Sequence, residues 1–221
     1  MLADETGTPL IVHCAQNAAR AGSVDHVCIA SDSAAIASAA SAAGVEHHMT
    51  RAHHVNGTSR IAEIASSLEA DIIVNVQGDE PELPPEVIDA AVAALQRDST
   101  VGVATAASAI HDAAQIDDPS IVKVVLDAQQ RAIYFSRSGV PFDRDATGVT
   151  HLRHVGLYAY TPEALLDYVQ LPEGVLEVAE RLEQLRLLEH GRPIAVALVD
   201  ATHEGIDTPR QYAAWVARHA T

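Results

Sequence analysis

A chain of 221 residues with 30 acidic against 14 basic side chains carries a formal net charge of −16. That field repels a phosphate backbone, and with no cluster of basic residues to offset it the composition argues against a nucleic-acid partner. Hydrophobic residues make up 48 %, enough for one domain over 1–221 with a full core, while no apolar run approaches the ~20 residues of a bilayer span and no charged-then-apolar leader opens the chain, which reads as a soluble cytoplasmic protein.

The spacing predicts a helix over 8–21, entered at Thr8-Pro9 and stopped at Gly22. No strand stands ahead of it, and neither GxGxxG nor GxxxxGK occurs, so no phosphate-cradling glycine loop can be named. Strand 25–30, helix 33–43, strand 45–49, helix 58–69 and strand 71–76 then alternate, a pattern that predicts a mostly parallel sheet covered by helices on both sides. Strand 71–76 is short, apolar and β-branched, and reads as the central strand, buried on both faces. Asp79 falls just past its carboxyl end, where open α/β sheets bind ligands. Its carboxylate is a candidate ligand for a hard cation bridging phosphates, or else a cap for the helix after Pro84-Pro85.

A helix from Pro84 to Arg97 and a strand over 101–109 follow. Strands 120–126 and 132–135, joined by Asp127–Arg131, read as a small hairpin on or beside the main sheet. Residues 138–152 lack periodicity and read as a loop. Strand 155–160, helices 162–170 and 175–190, strand 194–199 and a helix from Thr208 complete the series. On the 175–190 helix, Leu182, Leu185 and Leu188 form the core stripe, with Glu183 and Gln184 beside it.

Two cysteines, Cys14 and Cys28, are too few for a disulfide framework and read as buried core thiols. The twelve histidines show no HExxH or zinc-finger spacing. Lys123 is the only lysine. An anionic substrate would therefore need a metal ion and a few well-placed cations against the acidic field.

Five stretches, in order, carry a resemblance: HHVNGTSRIAE at 53–63, NVQGDEP at 75–81, VKVVLD at 122–127, RHVGLYAY at 153–160, and LEQLRLLEHG at 182–191 followed by GIDTP at 205–209. Together they resemble the 3-deoxy-manno-octulosonate (Kdo) cytidylyltransferases, the CMP-Kdo synthetases of lipopolysaccharide synthesis, through nearly the whole chain. The resemblance implies a three-layer α/β/α fold of the nucleotide-diphospho-sugar transferase type. It also implies a nucleotidyltransferase reaction of CTP with Kdo giving CMP-Kdo and pyrophosphate, Mg²⁺ as cofactor, and a homodimer.

By the same resemblance Asp79 and Asp207 are the catalytic, metal-binding aspartates, although Asp207 also reads as a turn residue before Thr208-Pro209. Arg137, His154, Tyr158, Glu183 and Gln184 match the Kdo-binding positions. His154 and Tyr158 lie on one face of their strand. Arg51, His54, Gly57, Thr58, Gln77 and Lys123 match the CTP-binding positions, though Lys123 also reads as a residue snorkelling from a strand edge. Asn56 stands where the family usually has serine and Ser59 where it usually has an acidic residue; both can still hydrogen-bond. Family members open with an apolar strand and a segment of the type IPARxxSTRxPGK, and Met1-Leu2-Ala3-Asp4 lines up directly after it. The reading is thus of a chain lacking its first strand and main phosphate grip, from a start placed too late or from a short, weakly active form. A cytidylyltransferase for another acidic sugar such as sialic acid, and a non-catalytic remnant that binds sugar or nucleotide, are the rival functions.

Overall fold

The structure, a computed structural model, describes residues 1–200, 205–206 and 208–219. In chain order the elements are α1 (Leu10–Ala18), β1 (Cys28–Ser31), α2 (Ala34–Ala42), β2 (Glu46–Met49), α3 (Gly57–Ala65), β3 (Ile73–Asn75), α4 (Pro85–Arg97), β4 (Val103–Ala109), β5 (Lys123–Leu126), β6 (Ala132–Ser136), β7 (Leu152–Tyr160), α5 (Pro162–Tyr168), α6 (Val175–Glu180), α7 (Leu185–Glu189), β8 (Ile194–Val199) and α8 (Pro209–His219). They fall into two compact units. One comprises Met1–Leu68, Asn75–Asp89 and Thr202–Thr221, the other Glu69–Val74 and Ala90–Ala201.

In the first unit β1 and β2 pair in parallel, Cys28 opposite Glu46 and Ser31 opposite Met49. The helix between them supplies the crossover that parallel pairing requires. Ser33 caps that helix by accepting from Ile36 N. Its small core is Ala15, Ile29 and Ala40 with Ile11, Val27, Ile36 and Val45 against them. Helix α8 buries Trp215, whose ring meets those of His13 and His219 at 4.9 and 5.0 Å.

The second unit holds a sheet in the order β6-β5-β7-β4-β8, with β3 also on β7. This sheet is mixed, not mostly parallel: β4 pairs with β8 in parallel, but β4–β7, β5–β6 and β5–β7 are antiparallel. β5 and β6 pair antiparallel as a hairpin, and residues 137–151 carry the chain back so that β7 runs in the direction of β6 on the other side of β5 and also pairs with it antiparallel. The middle place belongs to β7, which pairs with β5, β4 and β3, and the most buried strand is its neighbour β4. Residues 103–108 of β4 are all buried between β7 and β8, whereas β3 is only three residues long and pairs, among the described strands, with β7. An apolar β-branched run marks burial, but it carries no information on which neighbours supply it. The hairpin forms the edge of this sheet, with Asp127 Oδ1 accepting from Gln129 N and Arg131 N at the turn.

The predicted 175–190 helix is broken. Arg181 adopts φ 53°, ψ 50°, and the chain turns before restarting as α7. A left-handed non-glycine residue costs roughly 1–2 kcal/mol. Here the turn puts Leu182 and Gln184 into the interior and gives the Glu180 carbonyl to Arg137 Nε at 2.8 Å. The core stripe accordingly reads Leu182, Leu185 and Leu187, with Leu188 only partly buried.

Candidate active site

The turn after β3 is held from below by α1. The Cys14 thiol donates to Gly78 O at 2.9 Å, and a Cβ on residue 78 would stand 2.6 Å from Ile11 Cδ1, so any larger residue there must push the Ile11 side chain aside. Burial, with the Asp79 and Glu80 carboxylates adding to it, pushes the Cys14 thiol up to about 12, so it serves as a neutral donor. Cys28, in contrast, is only partly buried. On the other side of the turn, Ile206 N donates to Asp79 O at 2.8 Å. The GIDTP stretch therefore runs against QGDEP one peptide bond before Asp207, which itself lies outside the described residues. No group of three or more His, Cys, Asp or Glu side chains with metal-site geometry occurs among the described residues.

Gly57, Thr58 and Gln77 come together in the same unit. Thr58 is fully buried, and its hydroxyl accepts from Asn75 Nδ2 at 3.5 Å. The Gln77 amide lies 3.6 Å from where a Cβ on residue 57 would be. The two departures from the family pattern turn out to be one local device. Asn56 Oδ1 caps α3 by accepting from Ser59 N at 2.8 Å, and the Ser59 hydroxyl donates back to Asn56 O at 2.9 Å. Arg51 and His54, in the loop before α3, both reach Glu63 on that helix. Arg60, on the same helix, donates to Thr50 Oγ1 at 2.6 Å and pairs with Asp32 at 3.2 Å.

In the second unit His154 and Tyr158 stand side by side on β7, ring centroids 5.4 Å apart, with Phe135 5.0 Å from His154 on its other side. Their shared face survives a register shift between Thr105 and Ala106, where two extra β7 residues keep the alternation in phase. Burial depresses His154 to about 3, so it is neutral. Thr105 Oγ1 lies 2.7 Å from Leu157 O, to which its hydroxyl donates, and 2.9 Å from His154 Nε2. With its own proton committed, that oxygen can only accept, which places the imidazole hydrogen on Nε2 and leaves Nδ1 as an acceptor. Tyr158 is held neutral by burial first, and by the nearby Tyr160 and Glu183. Gln184 is buried at the start of α7.

Arg137 is tied down more firmly than a lone ligand-seeking guanidinium. Its Nε, Nη1 and Nη2 donate to the carbonyls of Glu180, Pro119 and Arg181, and its backbone N–H donates to Glu180 Oε2 at 3.0 Å. Glu180 also accepts from Ser136 Oγ at 2.7 Å, joining the end of β6 to α6. Lys123 does not snorkel. It is fully buried, and its ammonium spends its three N–H bonds on the carbonyls of Asp118, Ile121 and Arg137 at 3.0, 2.8 and 2.6 Å. It knots the 118–121 loop to residue 137. Burial lowers its affinity for a proton, against the pull of Asp118, Asp117 and Glu180. In the native protein an amine-reactive ester should modify Lys123 at least ~100-fold more slowly than in guanidinium-unfolded chain, since reaction must await opening of the knot. Peptide mass mapping reads this directly, and equal labelling in both states would show the knot to be open.

Glu63, Thr105, Glu180 and Asn75 have roles in these clusters that no motif assigns. Glu63 had a signal: it sits seven residues past the cap residue Asn56, two helical turns on and so on the same face. Thr105 had none, because only strand pairing brings β4 beside His154.

The class this α/β fold belongs to is that of the nucleotidyltransferases. A family model described as cytidylyltransferase matches residues 2–194, and the chain belongs to that family. Within it, the similarity is to 3-deoxy-manno-octulosonate cytidylyltransferases: 46 % identity to that of Syntrophobacter fumaroxidans over 97 % of this chain and 88 % of the relative, and 42 % to that of Escherichia coli over 94 % and 84 %. The structure of a CMP:2-keto-3-deoxy-manno-octonic acid synthetase complexed with CTP superposes with a TM-score of 0.94 at 41 % identity, over 99 % of this chain and 90 % of the other. A 4-diphosphocytidyl-2C-methyl-D-erythritol synthase shares the fold alone, at a TM-score of 0.63 and 12 % identity.

Proposed function

We propose that this chain transfers the cytidylyl group of CTP to Kdo, giving CMP-Kdo for lipopolysaccharide synthesis and pyrophosphate. The likeness to Kdo cytidylyltransferases along nearly the whole chain carries this reading. A sugar hydroxyl oxygen attacks the α-phosphorus of CTP, the new O–P bond forms as the bond to the β-phosphate oxygen breaks, and the hydroxyl proton is lost as pyrophosphate leaves. Arg51, His54, Gly57, Thr58 and Gln77 bind CTP. His154, Tyr158, Glu183 and Gln184 bind Kdo; His154 offers Nδ1 as an acceptor to a sugar hydroxyl, and Arg137 offers its remaining N–H groups to the carboxylate.

Asp79 and Asp207 would hold Mg²⁺. The donor set suits this ion, which is bound through one or two carboxylates together with substrate phosphates, and the hydrogen bond between Ile206 and Asp79 supports the pairing. When bound, the ion neutralises charge on the triphosphate and the attacking oxygen. The reading includes the cytoplasm as the site of action; no helix among the described residues is long and apolar enough to cross a membrane. It also includes a homodimer, supported by the exposed Val175 and Val178, one helical turn apart on α6.

Pyrophosphate release by the purified chain with CTP, Mg²⁺ and either Kdo or N-acetylneuraminate tests the proposal. Release is expected with Kdo alone. Release with N-acetylneuraminate alone would move the assignment to another acidic sugar, and none with either acid would refute the enzyme.

A further inference from the structure

We propose that Glu63 is the positioning residue of the nucleotide side, holding Arg51 and His54 in the arrangement that receives CTP; the proposal rests on the reading of those two residues as CTP ligands. One carboxylate gathers both. Its oxygens accept from Arg51 N at 3.2 and 3.3 Å, from Arg51 Nε at 3.3 Å, and, in the shortest contact, from His54 Nε2. The hydrogen bond from His54, with those from Arg51, keeps the Glu63 carboxyl below its ordinary range despite the opposing effect of burial, so it is anionic at neutral pH.

The chemistry of the clamp follows from its polarity. A carboxylate on Nε2 holds a proton there and fixes the ring, so that Nδ1 faces away from Glu63 in one orientation, which a freely rotating histidine would hold only part of the time. Arg51 is pinned by its backbone, so its largely exposed side chain springs from a fixed point. Arg60, three residues before Glu63, secures the same loop from the other side through Thr50 Oγ1 and Arg51 O. The 50–54 loop is thus fastened to α3 by two side chains, and α3 is the helix whose first residues are Gly57 and Thr58. No substrate contact by Glu63 itself is required.

The test uses the full chain with Glu63→Gln, Arg51→Ala, His54→Ala and the double variant His54→Ala/Glu63→Gln. CTP affinity is read by calorimetry without Kdo, beside KM for each substrate, kcat and melting temperature. Glu63→Gln keeps the side-chain shape but loses the charge that strengthens these bonds, and should weaken CTP binding about tenfold while KM for Kdo stays within about twofold. The double variant should lose much less than the product of the two single losses, because Glu63 acts partly through His54. If Arg51→Ala and His54→Ala weaken CTP binding and Glu63→Gln does not, the positioning role is wrong and the nucleotide reading stands. If neither Arg51→Ala nor His54→Ala affects CTP, the nucleotide reading itself falls. A Glu63→Gln protein that melts earlier and loses both substrates equally would mark the clamp as structural only.

Discussion

Asp79→Asn is expected to lower kcat/KM by about 10²–10³-fold with the fold unchanged. On the proposed reading Asp79 holds Mg²⁺, and losing its carboxylate removes about 3–4 kcal/mol of transition-state stabilisation, which is two to three decades in rate. The fold should survive because the turn is secured through the backbone: Cys14 Sγ to Gly78 O, Ile206 N to Asp79 O and Glu80 N to Gln77 O are all main-chain acceptors that asparagine leaves in place. Asp207→Asn should cost as much. Steady-state kinetics across a Mg²⁺ titration, with circular dichroism as the control for folding, provides the measurement. Near-normal Mg²⁺-dependent turnover in both variants would place the ion elsewhere.

Glu177→Ala should destabilise the protein by about 3–5 kcal/mol, the cost of leaving one member of a buried ion pair uncompensated. Glu177 and Arg186 are each about nine-tenths buried in their side chains, joined at 2.7 Å through two parallel contacts. Arg186 also lies over the Tyr168 ring at 4.8 Å, and its bond to Glu177 holds its charge more firmly still. The pair bridges α6 and α7 across the break at Arg181, the segment that carries Glu183 and Gln184. Replacing both partners with apolar residues, as in Glu177→Leu/Arg186→Met, should recover most of the loss, since no charge is then stranded. Urea unfolding of the three proteins separates these cases. A loss below about 1 kcal/mol for Glu177→Ala would mean that water reaches the pair and screens it.

Much of the architecture was legible because it is local. The alternation up to β3 and the hairpin turn at Asp127 each follow from residues within a few positions of one another. The departures are non-local. The repeating unit that points to mostly parallel pairing stops after β4, and the periodicity of 175–190 is blind to a single left-handed residue whose cost is offset by Arg137, some forty positions earlier. Lys123 shows the same limit, since its role depends on three carbonyls from two separate loops.

By itself, then, the order of residues determined the α/β class, the family and the motifs that carry it, because hydrophobic period, turn chemistry and short strings are properties of neighbours along a chain. The folded molecule alone decided that β7 and not β3 holds the middle of its sheet, that Thr105 sets the tautomer of His154, and that Glu63 fastens Arg51 and His54. Those are distances between atoms far apart in sequence. A hydrogen bond forms or fails within a few tenths of an ångström, a scale that only packing sets.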